Sequence, residues 1–335
     1  MRKLVESGWA LKDGHPWNIM FDGTRATFVD FGSIIPIAQF DQIKFYDELR
    51  SYFLAPLHLF ANGEPKLARE ALREHHTGVG LQLTKAGDAR FISRDLDAHG
   101  FNLDLPLKDI PNYMIHHIVE MGLPTVEGKW SVYPQQDIEV DPGELLPKHQ
   151  IVQNLLAQDK GTTLFDIGAS RGLHSMMAER LGKNVLLGDV EESVLNDLFL
   201  RCTSKDSRRL QPIYYNFLHP MPASGILGAV SGATDRLRSD TVLMLALTHH
   251  LVFGYGLNFE TIARGIWQLV KSRAIIEFVS PKDSHVQEWN PDRLPWYGLE
   301  LLLEKMSGYF GRVEVVPLDQ DAIRVLILCQ DPRRG

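Results

Sequence analysis

The residue types best suited to chemistry lie at Phe165–Gly172, which read F-D-I-G-A-S-R-G. An apolar, β-branched run precedes this turn and a helical pattern follows it. Gly168 and Gly172 let the backbone approach a ligand where a Cβ would block it. Asp189 stands 23 residues after Asp166, at the end of the next predicted strand. A carboxylate there can accept both hydroxyl hydrogens of a ribose. Strand, glycine turn, helix and acidic strand end together point to a nucleoside ligand; a tight turn serving only packing is the alternative.

A second set closes two apolar runs further on. Leu247-Thr248-His249-His250-Leu251 ends one, and Glu277-Phe278-Val279-Ser280 ends the next. An imidazole near its ordinary pKa of ~6.5 can take a proton from an attacking hydroxyl or amine. His250 or His249 would be that base, with Glu277 orienting the ring or positioning the substrate. The bland reading is a pair of capped or core histidines. Imidazole and carboxylate also suit a metal, but adjacent histidines diverge, so no metal is expected.

These residues need a scaffold that brings strand ends together. Predicted strands at 162–167, 184–187, 211–215, 240–247, 273–279, 313–317 and 323–328 alternate with helices at 148–158, 173–181, 191–202, 258–270 and 298–310. Apolar strands separated by such helices imply a mostly parallel sheet covered on both faces. The last two strands are joined by only a few residues, including Asp319 and Asp321, which permits only an antiparallel hairpin. The expected fold is α/β: a doubly wound sheet of about seven strands with one reversed at the edge. Ligands of such sheets sit beyond the carboxyl ends of the strands.

The order D-x-G-x-x-x-G resembles motif I of the class I S-adenosylmethionine-dependent methyltransferases. Ser170 stands where that family commonly has another glycine, while the outer spacing is kept. The resemblance spans about 147–329 and implies S-adenosyl-L-methionine as cofactor. It further implies that Asp166 lies near the methionine moiety and that Asp189 binds the ribose. In Tyr214-Tyr215-Asn216-Phe217-Leu218, it implies that Asn216 meets the adenine amino group through its side-chain carbonyl. Phe217 would offer the ring an apolar face, or simply pack in the core. The stretches LALTHHL and IIEFV are similar to nodulation-related and natural-product tailoring methyltransferases that carry a kinase-like leader.

Such a leader fits Leu11–Ser33. Asp13 and Asn18 stand five apart, and Asp30-Phe31-Gly32 follows a hairpin turn at Asp22-Gly23. This resembles the catalytic and metal-binding stretch of protein kinases and aminoglycoside phosphotransferases. Carried over, Asp13 would be the proton acceptor and Asn18 and Asp30 the magnesium ligands. Only 12 residues precede Asp13, and Leu11 stands where a histidine is usual. The glycine-rich cover and strand lysine of a phosphotransferase have no room there. The expectation is therefore a degenerate, mainly helical kinase-like domain at 1–135, with helices at 39–61 and 65–76. A linker rich in proline and acid follows at 136–146, and the methyltransferase domain occupies 147–335.

Composition sets outer limits. The 335 residues are 44% hydrophobic and 23% charged, with a net charge of −7 and Lys+Arg of 35 against Asp+Glu of 42. An acidic balance disfavours nucleic acid as partner, because phosphate neutralisation needs a clustered positive surplus. The basic cluster Arg201, Lys205, Arg208 and Arg209 reads as a solvated helix end. Two cysteines, Cys202 and Cys329, cannot build a disulfide framework. No apolar run of ~18 residues suggests a membrane span, and the first eight residues lack the apolar core of a signal peptide. The expectation is a cytoplasmic enzyme that methylates an O or N atom of a small molecule. A protein methyltransferase and a non-catalytic cofactor-binding module remain as alternatives.

Overall fold

The computed structural model describes residues 1–13, 15–73, 105–122, 146–318 and 323–334. The expected linker at 136–146 lies outside the described residues apart from Leu146, as do Asp319, Asp321 and the end of the helix expected to reach His76. The chain clusters into two compact units, Met1–Phe21 with Ala26–Val126, and Asp22–Arg25 with Glu127–Gly335.

The first unit begins with helix α1 (Arg2–Glu6), followed by β1 (Trp9–Leu11), β2 (Ile19–Asp22), β3 (Arg25–Phe28) and β4 (Ile34–Pro36). β1 pairs antiparallel with β4, placing Ala10 opposite Ile35. β2 pairs with β3 around the expected turn at Asp22-Gly23. Helix α2 (Gln42–Leu49) runs through a wider turn at Arg50–Leu54 into α3 (Ala55–Ala61), and α4 (Pro65–Arg73) follows. After them comes α5 (Ile110–Met121). Leu54, Ala55, Ile110 and Met114 form a small core. After α1 the first forty residues are thus short strands and tight turns rather than long helices.

The second unit opens with α6 (Pro147–Ala157) and β5 (Thr163–Ile167), then α7 (Leu173–Arg180), β6 (Asn184–Asp189), α8 (Glu192–Ser204) and β7 (Leu210–Tyr214). The short α9 (Ala233–Arg236) leads to β8 (Ser239–Met244), α10 (Phe259–Leu269) and β9 (Val270–Val279). Helices α11 (Ser284–Gln287) and α12 (Leu299–Tyr309) precede the closing strands β10 (Phe310–Pro317) and β11 (Arg324–Pro332). The seven strands lie in the order β10-β11-β9-β8-β5-β6-β7. All neighbours from β9 to β7 are parallel, and β11 runs antiparallel to both β9 and β10. The reversed strand is therefore second from the edge, between β9 and β10, not at the edge as expected. A long β11 that pairs on both sides buries its Val325–Cys329 run, whereas β10 buries only Phe310 and leaves its other positions half-buried or exposed, as the edge strand.

Side-chain alternation along the strands separates two apolar layers. Phe165, Val242, Ile276 and Phe278 face the layer completed by α10 and α12. Leu164, Leu243 and Ile275 face the layer completed by α6, α7 and α8. Helix α10 shows how sequence builds this. Asn258 caps its start by accepting from the Thr261 N–H. Phe259, Ile262, Ala263, Ile266 and Leu269 then recur at helical spacing and are all buried.

Strand β8 was expected to run to Leu247 but stops at Met244. Ala246 adopts φ +49°, a left-handed conformation that a strand cannot continue through. Strand order reverses at β5, where successive strands go to β6 and β7 on one side and to β8 and β9 on the other. The crevice of an open α/β sheet forms at such a switch point. Among the described residues no helix is long and apolar enough to cross a membrane.

Candidate active site

At the carboxyl end of β5 the glycine turn folds as its residues require. Gly168 and Gly172 take φ +75° and +80°, and Ser170 takes φ +48°. The N–H groups of Gly168 and Ala169 both donate to the Gly188 carbonyl, at 2.9 and 3.0 Å, tying the turn to β6. A Cβ on Gly172 would stand 2.8 Å from Leu198. Glycine is needed there for left-handed backbone and for close packing of α7 on α8.

Asp189 ends β6 beside the turn. Its Oδ2 accepts from the Ser170 N–H at 3.0 Å, and its Oδ1 from the N–H groups of Val190 and Glu191 at 2.7 and 3.1 Å. Three backbone donors fix this half-exposed carboxylate and leave acceptor capacity on Oδ2. That is the chemistry a ribose diol asks for. Ser170, a departure from the commoner glycine, contributes its backbone rather than its hydroxyl to this clasp.

Asp166 is buried among the residues of β5 and accepts from Ser175 Oγ at 2.7 Å. Burial pushes its carboxyl up to about 7; Ser175 opposes that shift, and the charge of Asp189 adds to it. Beyond β7, Asn216 Oδ1 accepts from the Leu218 N–H at 2.9 Å. The neighbouring Phe217 ring lies against Gly265 of α10, where an added Cβ would come within 2.7 Å of it. Glycine turn, Asp189 and Asn216 thus follow one another across the ends of the adjacent strands β5, β6 and β7. Phe217 is committed at least partly to packing.

On the other side of the switch point the arrangement differs from expectation. With β8 ended early, Thr248, His249 and His250 stand on a helical turn, not at a strand end. Thr248 Oγ1 donates to the Glu277 carbonyl at 3.0 Å and anchors that turn to β9. The rings of His249 and His250 lie 4.1 Å apart, against Trp289. Burial lowers the His249 imidazole to about 3, with His250 and Arg324 adding to the shift. Its Nδ1 finds no hydrogen-bond partner among the described residues. His249 is therefore a weak base packed in an aromatic cluster.

Glu277 is fully buried, and its carboxylate turns to the layer of α6 and α7, the side that Asp166 also faces. Lys148 Nζ donates to its Oε2 at 2.5 Å, and Arg324 Nη1 stands 3.6 Å from its Oε1. Arg324 also donates to Asp283 Oδ2 at 2.9 Å. Burial works against the Asp283 charge, but this bond and the guanidinium beside it hold the acid below the usual carboxylate range. One residue past Lys148, His149 Nδ1 meets His174 Nε2 at 3.0 Å. Burial lowers both imidazoles, that of His174 to about 3, with His149 and then Lys148 adding to it. Sequence reasoning missed Lys148, His149, His174, Ser175 and Arg324. His174 and Ser175 carried a usable signal, directly after the glycine turn on the first turn of a predicted helix. Lys148 and Glu277 are 129 residues apart, and nothing local links them.

In the first unit, Asp13, Asn18 and Asp30 do converge, around Ser33. Ser33 Oγ stands 2.9 Å from Asp13 Oδ2 and 2.5 Å from Asp30 Oδ2, and Asn18 Nδ2 is 3.3 Å from both Asp30 Oδ2 and Ser33 Oγ. Lys44 Nζ donates to Asp13 Oδ1 at 3.2 Å. Burial raises the Asp13 carboxyl, but the bonds from Ser33 and Lys44 more than offset that and hold it below its ordinary value. Among the described residues no group of three or more His, Cys, Asp or Glu is arranged to hold a metal ion.

No protein-family model matches the chain. It is 25% identical over 320 residues to the nodulation protein NoeA of Rhizobium meliloti (strain 1021), covering 85% of this chain and 65% of that protein. The chain thus spans under two thirds of that relative's length. Among solved structures it is similar to the N-methyltransferase NodS from Bradyrhizobium japonicum WM9, with TM-score 0.41, 13% identity, and 56% of this chain and 95% of that one covered. It is also similar to the bifunctional kinase-methyltransferase WbdD, with TM-score 0.40, 14% identity, and 56% and 39% covered. The magnesium protoporphyrin IX methyltransferase ChlM from Synechocystis PCC 6803, with bound SAH, gives TM-score 0.38, 14% identity, and 55% and 84% covered. The strand order and the C-terminal hairpin, not these scores, define the fold.

Proposed function

We propose that this chain, whose second unit has the Rossmann-like fold of the class I S-adenosylmethionine-dependent methyltransferases, transfers a methyl group from that cofactor to a small molecule. The observation that carries the reading is the clasp of the glycine turn on Asp189. A carboxylate oriented by three backbone N–H groups waits at the end of β6, beside a left-handed glycine turn. Asp166, on β5 just before that turn, is buried and bonded to Ser175, and would stand nearest the amino-acid moiety.

The residues present suit the cofactor. Asp189 would hold the ribose hydroxyls, Gly168 and Gly172 keep the turn low enough for close approach, and Asn216 would meet the adenine edge. Asp166 faces the methionine end from a dry position, so its charge would be called up by a nearby ammonium. When bound, the cofactor supplies an electrophilic methyl carbon on a sulfonium. The chain's part is then alignment of the acceptor and exclusion of water, which can supply most of the rate.

The thermal midpoint of the full chain tests this directly. S-adenosylhomocysteine at a hundredfold excess over Kd should stabilise it by about 2.7 kcal/mol, several degrees in Tm. Asp189→Ala should abolish the shift. An unshifted wild-type midpoint, with the cofactor as well as its demethylated product, sinks the assignment.

A further inference from the structure

We infer that the acceptor side of this site takes an acidic oxygen nucleophile (a carboxylate, phenolate or enolate), oriented by Lys148 with Arg324. The inference rests on the methyltransferase reading and chooses between the oxygen and nitrogen acceptors that reading leaves open.

Four charged groups meet around the carboxyl end of β9, Glu277 and Asp283 from β9 and just past it, Arg324 from the start of β11 and Lys148 from α6, and they are layered by depth. The carboxylates lie underneath: the side chains of Glu277 and Asp283 are 0% and 9% exposed. The cations lie above them, with Lys148 at 23% and Arg324 at 32%. The four charges balance, yet the face a ligand would meet is positive. A cationic amine would have to approach two cations to reach a carboxylate that no solvent touches. An anionic oxygen meets the cations first. Attraction to a partly desolvated ammonium is stronger than in water.

Lys148 is also well placed along the sheet. It sits on the first turn of α6, and its neighbour His149 bonds His174, two residues past Gly172 of the cofactor turn. Its ammonium carries three hydrogens, and Glu277 Oε2 takes one. Lys148 therefore stands between the buried acid of β9 and the glycine turn of β5, across the switch point where the methyl group would be presented.

The chemistry closes without a base. The acceptor oxygen attacks the methyl carbon, a C–O bond forms, the methyl–sulfur bond breaks, and its electron pair stays on sulfur. An oxygen that arrives ionised releases no proton. A neutral amine acceptor would release one, for which the chain would have to supply a proton acceptor.

Benzoate and benzylamine, matched in shape and opposite in charge, test the inference by thermal shift on the full chain with and without S-adenosylhomocysteine. Benzoate should stabilise the wild type and benzylamine should not. Lys148→Gln alone would strand the buried Glu277 carboxylate, so the informative variant is Lys148→Gln combined with Glu277→Gln. It should lose about tenfold in apparent benzoate affinity and keep its response to S-adenosylhomocysteine. Lys148→Arg, which keeps the charge, should keep the benzoate response. Stabilisation by benzylamine equal to that by benzoate, or a benzoate response intact in the double variant, overturns the inference. A wild type that ignores S-adenosylhomocysteine overturns the methyltransferase reading instead, and the benzoate arm without it still decides whether the anion subsite exists.

Discussion

Lys44 and Lys148 each close onto a carboxylate beside a cluster of polar side chains, one pair in each unit, and the two differ in what surrounds them. Lys44 is half exposed, at 49%, and Asp13 is 19% exposed. Asp13 is also bonded by Ser33, so its needs are met several times over. Glu277 is completely buried, and its carboxylate is held by Lys148 on Oε2, with Arg324 3.6 Å from Oε1. The same contrast separates the clusters around them. In the first unit the carboxylates of Asp13 and Asp30 share one hydroxyl, Ser33, and each has further donors of its own: Lys44 for Asp13, and Asn18 and the Gly32 N–H for Asp30. In the second, Asp189 is oriented by backbone donors that leave it acceptor capacity, and Asp166 is kept dry and close to neutral. Convergence of polar residues does not by itself make a site; what counts is whether binding capacity is left over once the fold is satisfied.

The largest expected effect follows from burial. Lys148→Met should cost about 3 kcal/mol of stability, because it removes the nearer partner of a fully buried carboxylate and leaves only Arg324, 3.6 Å from Oε1, to offset it. Adding Glu277→Leu should restore most of that loss, since an apolar pair of similar volume removes the stranded charge. Urea unfolding of the single and double variants measures it. A single variant within 1 kcal/mol of wild type would mean that Glu277 does not depend on Lys148 and would erase the contrast with Lys44.

Asp166 sharpens the comparison through pH. Its folded carboxyl sits at about 7, above an unfolded value near 4. Below about pH 4 the acid is protonated in both states, and its contribution to stability is fully present. Between about pH 4 and 7 the unfolded acid ionises while the folded one holds its proton, so stability falls as pH rises through that window. Asp166→Asn should therefore be more stable than wild type at pH 8, by up to a few kcal/mol at about 1.4 kcal/mol per pH unit, and close to it at pH 4. The difference between the two proteins is the quantity to follow. His174 and His249, both held near 3, make the raw stability of either protein fall as pH drops below about 6.5. An equal gap at both pH values would show that Asp166 is not held neutral by its burial.

Much of this was legible in the sequence. The glycine turn, Asp189 and the terminal hairpin are local patterns, and each formed where its residues indicated. The β8 end was misjudged because Leu245-Ala246-Leu247 is as apolar as a strand, while the left-handed Ala246 that ends it carries no compositional mark. Sequence spacing shows that the last two strands form a hairpin but not which of them inserts beside β9, so the interior place of the reversed strand is not legible there. Glu277 was legible as a strand-end acid but not as a partner of Lys148, since that contact depends on how α6 lies over the sheet. Asp13, Asn18 and Asp30 were legible as a cluster. That Ser33 and Lys44 would saturate it was not.

The smallest effect is expected at Lys44, and it tests the other half of the contrast. Lys44→Met removes a pair at 3.2 Å to Asp13 and one at 3.5 Å to Glu48, both from a half-exposed ammonium. Exposed pairs of this kind contribute about 0–1 kcal/mol and weaken as salt screens them. The variant should unfold within about 1 kcal/mol of wild type, with the gap shrinking at high salt, and should keep its full response to S-adenosylhomocysteine. Asp13 would retain its bond from Ser33, which limits the damage. A loss as large as that of Lys148→Met would make the first unit's cluster as dependent on its lysine as the second unit's is, and the distinction between a saturated and a poised arrangement would fail.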